Sequence, residues 1–198
     1  MLLTEQERDR SRLEPKYTWN LADIFPDVAA WRAAKVQIQK EVPRIAGYAG
    51  TLGSSPQVLA DALDLRVRLD KELSRLYVYA SMTADQDTRE SEPQGMQQEM
   101  QQLHAEFSAY ASYMQPEILR IGGSTIEQFI AAEPRLSVHA FPLRDVIRRA
   151  GQTLTEAEEK ILADAQPLAG SAPNIYGILA NADFPYPTIR LADGTDVR

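Results

Sequence analysis

The sequence contains no cysteine and only two histidines among its 198 residues. The absence of cysteine excludes disulfides, thiolate nucleophiles and cysteine-ligated metal sites. A catalytic zinc usually requires about three protein ligands, most often histidine and carboxylate at close helical spacing. His104 and His139 lie far apart in the sequence, and no His-Glu-x-x-His motif is present. We therefore assign no catalytic, cofactor-binding or metal-ligating residue to this chain and expect no cofactor in it.

Signatures of other common active sites are also missing. There is no Gly-x-Ser-x-Gly elbow for a serine nucleophile, no Walker A loop and no Gly-x-Gly-x-x-Gly fingerprint. Gly122-Gly123 is an isolated pair, which favours a turn over a phosphate-binding loop. An independent enzyme therefore has no assembled site in the sequence.

Basic residues are too few for a general nucleic-acid or anionic-membrane binder. The 21 Lys and Arg are outnumbered by 28 Asp and Glu, which gives a net charge of −7. No apolar run approaches the length of a membrane span, and the first residues lack the apolar core of a signal peptide. We expect no nucleic-acid partner, no membrane contact and a cytoplasmic location.

The most regular stretch runs from Ser54 to about Met114 and predicts two long helices. Apolar residues recur there in steps of three and four, which keeps them on one helical face. The polar, turn-prone sequence TADQDTRESEPQ between the two stripes predicts an antiparallel helix hairpin. The chain should be mainly α, a helical bundle built on this hairpin. The two stripes are Leu59, Leu63, Leu69, Leu73, Leu76, Tyr77, Ala80 and Ala84, and Met96, Met100, Leu103, Phe107, Tyr110 and Met114.

Capping residues and prolines predict where the helices begin and end. Polar side chains that can accept a backbone hydrogen bond favour helix starts, and proline favours a stop, a kink or a first turn. Pro43 and Pro116 mark ends or kinks, and shorter helices should cover 124–132, 138–149 and 155–165. The predicted starts are Asp27, Ser54 or Ser55 with Pro56, Ser91 with Gln94, Ser124, and Thr155 with Glu158.

The two ends of the chain differ from the helical middle. Residues 14–26 are bracketed by prolines and rich in aromatics, so we expect an extended strap with Trp19 as a weak ligand candidate. PTIRLADGTDVR alternates around Asp193-Gly194 and predicts a β-hairpin. The predicted organisation is an extended arm over 1–26, a helical domain over 27–182 and the start of a β-hairpin over 183–198.

Several polar clusters have both a structural and a functional interpretation. The histidines are best explained as packed or half-exposed side chains. Glu156, Glu158 and Glu159 favour a helix start through the dipole, and Asp85 with Asp87 favours a solvated turn. Phenols along the helix pair could donate hydrogen bonds in a peptide channel, but core packing also explains such stripes. The tyrosines concerned are Tyr77, Tyr79, Tyr110 and Tyr113.

Four ordered stretches resemble the amino-terminal part of oligoendopeptidase F, a family of cytosolic zinc metallopeptidases related to thimet oligopeptidase. They are WNLADIFP (19–26), LYVYASMTADQDT (76–88), TLTEAEEKIL (153–162) and APNIYGILANADFPYPTI (172–189), which DGTDV follows. The stretches occur in the family's order from about Tyr17 to Val197. No single stretch is diagnostic, but the four together, at appropriate spacing, make the resemblance specific.

The resemblance implies a helical channel wall that restricts a zinc peptidase to short peptides. The family's His-Glu-x-x-His helix lies downstream of the matched region, so its catalytic residues have no counterpart here. We expect zinc only in a full-length protein, a catalytic domain as partner, short peptides as substrates and no activity of this chain alone. An exposed docking face should make the chain self-associate. The alternative is a stand-alone helical protein-interaction module.

Overall fold

A computed structural model describes residues 14–86, 90–152, 172, 175–176, 179 and 187–197. The chain divides into two compact units, Arg10–Gly151 and Gln152–Arg198 with Met1–Asp9. The first unit is helical, and the second contains a short antiparallel strand pair. The predicted mainly α fold class is confirmed.

The predicted helix hairpin is present in the first unit. Its helices are α2 (Pro56–Gln86) and α3 (Ser91–Ala111), and their apolar stripes pack against each other along the pair. Every residue of the two predicted stripes is buried except Tyr77 and Tyr110, which are each 40% exposed. Ser55 Oγ accepts a hydrogen bond from Val58 N at 3.2 Å, so the predicted start of α2 is confirmed.

Helix α1 (Val28–Glu41) packs against the hairpin, mainly against α2. The Asp27 carboxylate accepts a hydrogen bond from Ala30 N at 2.7 Å and caps the helix as predicted. Trp31 is fully buried, and its indole Nε1–H donates to the Leu76 carbonyl oxygen at 2.9 Å. Pro43 follows the end of α1, where the backbone tightens into a 3-10 helix over Val42–Tyr48.

The segment before α1 is not uniformly extended. It contains two 3-10 turns, Pro15–Tyr17 and Leu21–Asp23, and each turn is closed by local backbone hydrogen bonds. Phe25 is buried edge-to-face against the Tyr79 ring, at 5.5 Å between centroids. Tyr17 and Trp19 are exposed, so only the carboxyl end of this strap packs on the core.

Three shorter helices complete the first unit: α4 (Met114–Ile121), α5 (Gly123–Ala132) and α6 (Ala140–Arg148). A 3-10 helix over Pro134–His139 leads into α6, so the helix predicted over 138–149 begins later than expected. Pro116 occupies the first turn of α4, where its missing N–H costs no helical hydrogen bond.

Two predicted helix caps are wrong. The N-cap of α3 is Glu90, so Ser91 is already helical and cannot form the predicted capping box from the N-cap position. The N-cap of α5 is Gly122, with φ 82°, and Ser124 lies inside the helix. Gly122 ends α4 and begins α5 in one residue, and a left-handed backbone there favours glycine over serine.

A buried carboxylate fixes the loop between α1 and α2 to α4. Glu117 is 5% exposed and accepts hydrogen bonds from Gly50 N at 2.8 Å and Leu52 N at 2.7 Å. A buried carboxyl group that accepts two backbone hydrogen bonds is well satisfied despite its burial. This contact joins segments that are far apart in the sequence.

The second unit contains the predicted β-hairpin. Strands β1 (Ile189–Arg190) and β2 (Asp196–Val197) pair antiparallel, with Ile189 opposite Val197. Gly194 has φ 85°, which explains the glycine in the turn. The helix predicted over 155–165 lies outside the described residues. Within the described ranges, no helix combines the length and apolar character that crossing a membrane requires.

The Trp31–Leu76 hydrogen bond gives a first test of the fold. Trp31→Phe removes a buried donor and part of a filled volume, so we expect a loss of about 2 kcal/mol in the free energy of unfolding. The free energy of unfolding is measured by urea denaturation, with circular dichroism as the signal. Trp19→Phe is the matched control, because Trp19 is 55% exposed, and it should change stability by less than about 0.5 kcal/mol. Equal losses in the two variants would contradict the proposed role of Trp31.

Candidate functional site

The two flanks of the α2–α3 hairpin have different surroundings. On one flank, α1 contributes Arg32 and Lys35, which form ion pairs with Glu92 and Glu99 of α3. On the other flank, Tyr77 of α2 meets His104 of α3, with the rings edge-to-face at 6.0 Å between centroids. The second flank is a candidate ligand surface because Tyr77 is partly exposed there.

A polar groove lies on the same flank, closer to the hairpin turn than this ring pair. Its volume is about 330 Å³, and we call it the amide groove because most of its lining side chains are carboxamides. Gln97 Nε2 donates to Ser81 Oγ at 3.2 Å between the groove and the ring pair, which links the two helices. The lining residues are Ala84, Asp85, Gln94, Gln97, Gln98 and Gln101.

The sequence explains why these side chains share one flank. On α2, Tyr77, Ser81 and Asp85 each follow a buried residue of the stripe directly. On α3, three polar residues likewise follow Met96, Met100 and Leu103. One residue turns a helix by about 100°, and in an antiparallel pair this step leads to the same flank from both helices. The three residues on α3 are Gln97, Gln101 and His104.

The amide groove can form hydrogen bonds in both directions. Each carboxamide carries two N–H donors and one acceptor oxygen, and the Gln97 amide already donates one hydrogen bond to Ser81 Oγ. Among the six described lining residues, Asp85 is the only charged one. The groove therefore suits a polar ligand that carries alternating donors and acceptors, with a cationic group near Asp85.

The four tyrosines singled out in the sequence do not form one site. Tyr79 is buried against Phe25, and burial, followed by the nearby charge of Asp27, raises its pKa. Tyr113 donates from its hydroxyl to the Ile45 carbonyl oxygen at 2.6 Å. Tyr110 is partly exposed on α3. Only Tyr77 is in contact with His104 beside the amide groove.

His139 belongs to an ionic cluster between α2 and the 3-10 helix before α6. It is 8% exposed, with Nε2 3.0 Å from Asp64 Oδ1. Arg135 donates to Asp61 at 2.7 Å and to Glu133 at 3.2 Å, and the bond from Arg135 lowers the pKa of Glu133. These contacts attach α2 to the short helices, and sequence spacing gives no signal of them.

The remaining candidates are assigned as follows. Asp85 lines the amide groove, whereas Asp87, Glu156, Glu158 and Glu159 lie outside the described residues. In the described part of the chain, no group of three or more His, Asp or Glu side chains is placed to hold a metal ion.

Comparison with known proteins relates the chain to peptidases. The family described as Oligopeptidase F matches residues 117–186. Oligopeptidase PepF from Bacillus subtilis is 34% identical over 188 residues, which are 95% of this chain and 28% of that protein. Group B oligopeptidase PepB from Streptococcus agalactiae is 31% identical over 189 residues, which are 96% of this chain and 31% of that protein. The chain thus spans about a third or less of these relatives.

A solved structure supports the fold. Oligoendopeptidase-F from Enterococcus faecium superposes with a TM-score of 0.67 at 24% identity. The similarity covers 87% of this chain and 34% of that chain. At this identity the comparison establishes the helical fold alone.

Tyr113 predicts how stability changes at alkaline pH. Burial, then the charge of Glu117 and the neighbouring Tyr48, raises the pKa of its phenol to about 12 from 10.0. The folded state holds this proton more tightly, so its contribution is complete below about pH 10 and is lost as the pH rises toward 12. Tyr113→Phe should therefore lose less stability across that interval than the parent, in thermal denaturation at a series of pH values. Parallel losses in both proteins would contradict this assignment.

Proposed function

Because the chain corresponds to the amino-terminal region of the oligoendopeptidase F peptidases, as its sequence motifs predicted, we propose that it is the non-catalytic helical domain of such a peptidase. The observation that carries this proposal is a match over 95% of the chain to 28% of an oligopeptidase. In this role the helix hairpin forms one wall of a peptide-binding channel and restricts the enzyme to short peptides.

The chemistry of hydrolysis belongs to a different part of the peptidase in this proposal. A zinc ion held by a His-Glu-x-x-His helix would supply the activated water. The described residues do not fit such an ion, because they contain no suitable ligand cluster. This chain contributes shape and polar contacts, and the enzyme acts in the cytoplasm.

An apolar surface on α6 and the preceding 3-10 helix is the proposed contact with the catalytic domain. Val138 is 77% exposed and Phe141 is 80% exposed, three residues apart in the sequence. Large apolar side chains with this exposure favour an interface with another protein surface. In the isolated chain, the same surface favours self-association.

The domain role is tested with the isolated chain and a chimera. In the chimera, this chain replaces the matched amino-terminal part of Bacillus subtilis PepF. The isolated chain should contain no stoichiometric zinc and hydrolyse no oligopeptide. The chimera should bind zinc and cleave short oligopeptides, but not a denatured whole protein, because the channel wall limits access.

Two results would contradict the domain role. One is zinc or peptidase activity in the isolated chain, since the catalytic site would then lie within it. The other is a zinc-loaded chimera that cleaves the denatured protein as readily as a short peptide. Metal analysis and chromatographic detection of the cleavage products give both readouts.

Self-association is tested with the double variant Val138→Ser/Phe141→Ser. Light scattering of the isolated chain at increasing concentration should show dimers or larger species, and the variant should stay monomeric under the same conditions. The matched control is Val36→Ser/Val67→Ser, because both valines are partly exposed on other helices. A parent chain that stays monomeric, or a control that dissociates as fully as the variant, would refute the proposed surface. If the parent chain instead forms complexes with other proteins through this surface, that result would favour the alternative of a stand-alone interaction module.

A further inference from the structure

We infer that the amide groove binds the main chain of an extended peptide, with the peptide amino terminus toward Asp85 and a side chain against Tyr77 and His104. This inference rests on the proposed function for the class of ligand, a short peptide. It adds the position, the direction and the length of the bound segment.

The hydrogen-bonding groups of the groove match a peptide backbone. Gln97 and Gln101 lie four residues apart on one face of α3, and Gln98 lines the groove with them. An extended peptide alternates N–H donors and carbonyl acceptors, and a carboxamide can pair with either. Ser81 holds the Gln97 amide by accepting from its Nε2, so one of these groups already has a fixed orientation. Pre-orientation lowers the entropy cost of binding.

The length of the flank sets the size of the bound segment. Asp85 and Tyr77 lie on the same flank of α2, about 12 Å apart along the helix axis at ~1.5 Å per residue. An extended peptide advances about 3.3 Å per residue, so the flank accommodates roughly four residues. The bound segment is therefore a tetrapeptide.

The charge of the groove sets the direction of the peptide. Asp85 is exposed at the end near the hairpin turn, and no basic side chain is among the described lining residues. A peptide ammonium is attracted to this carboxylate, whereas a peptide carboxylate would be repelled. A peptide with a free amino terminus should consequently bind in one direction.

The ring pair at the other end is suited to a peptide side chain. Tyr77 is 40% exposed, and its ring meets the His104 ring edge-to-face. Aromatic surfaces bind apolar and aromatic side chains through area burial and ring contacts. The fourth residue of the peptide reaches this pair, so a large apolar residue is favoured there.

The experiment measures binding of Ala-Ala-Ala-Phe-amide to the full 198-residue chain by isothermal titration calorimetry. Gln97→Ala/Gln101→Ala should weaken binding by about tenfold, because two backbone hydrogen bonds are lost. Gln102→Ala is the matched control: it changes the same residue type on α3, but Gln102 faces the α1 flank and donates to Glu106. The control should bind as the parent does.

The amino-terminal direction is tested with acetyl-Ala-Ala-Ala-Phe-amide. The acetylated peptide should bind more weakly to the parent, because its ammonium is absent. Asp85→Asn should bind the two peptides with equal affinity, while its melting temperature stays that of the parent. Tyr77→Ala should reduce the preference for Phe over Ala at the fourth position.

Four results would overturn the inference. The first is that the parent binds no peptide detectably, and the second is that Gln102→Ala weakens binding as much as Gln97→Ala/Gln101→Ala does. The third is that the parent binds the free and the acetylated peptide with equal affinity. The fourth is that the parent binds maltotetraose in place of the peptide. Failure of the groove can be separated from failure of the domain role. The groove alone is refuted if the PepF chimera is size-selective and Gln97→Ala/Gln101→Ala leaves its KM unchanged. The domain role is refuted if the isolated chain has zinc-dependent activity, and that result leaves the peptide-binding data intact.

Discussion

The antiparallel packing of α2 on α3 is the constraint on which the rest of the first unit depends. Each helix presents one apolar stripe, so their contact determines which flanks remain for other elements. Trp31 attaches α1 to α2 through the Leu76 carbonyl, and ion pairs attach α1 to α3. One flank is thereby covered by α1, whereas Tyr77 on the other flank is partly exposed.

Much of the helical fold could be predicted from local sequence signals. Apolar periodicity predicted the hairpin, and Asp193-Gly194 predicted the strand pair. Asp27, and Ser54 or Ser55 before Pro56, predicted helix starts, and the structure places the second cap at Ser55. The caps predicted at Ser91 and Ser124 are wrong, because a capping residue only favours a helix start. Tertiary packing decides which residue occupies the N-cap position. Long-range contacts, such as Glu117 with the loop at residues 50–52, leave no periodic signal in one sequence.

The candidate site was less accessible to sequence analysis than the fold. Attention to tyrosines identified Tyr77, but Tyr79 packs in the core and Tyr113 bonds to a backbone carbonyl. The signal for the groove was a polar residue directly after each of the four buried residues Ala80, Ala84, Met96 and Met100. Its meaning depends on the antiparallel pairing, because only that orientation brings Ser81 and Gln97 to the same flank.

In the proposed function, the helical domain and its groove contact the substrate, and the chemistry is performed by another part of the peptidase. The most direct measurement is nuclear magnetic resonance of the side-chain amides in the ¹⁵N-labelled chain during addition of Ala-Ala-Ala-Phe-amide. Binding in the groove predicts progressive shifts for Gln97, Gln98 and Gln101, with the signal of Gln102 unchanged. Unchanged signals for the three groove residues at saturating peptide, or shifts as large for Gln102, would contradict a peptide-binding groove on this flank.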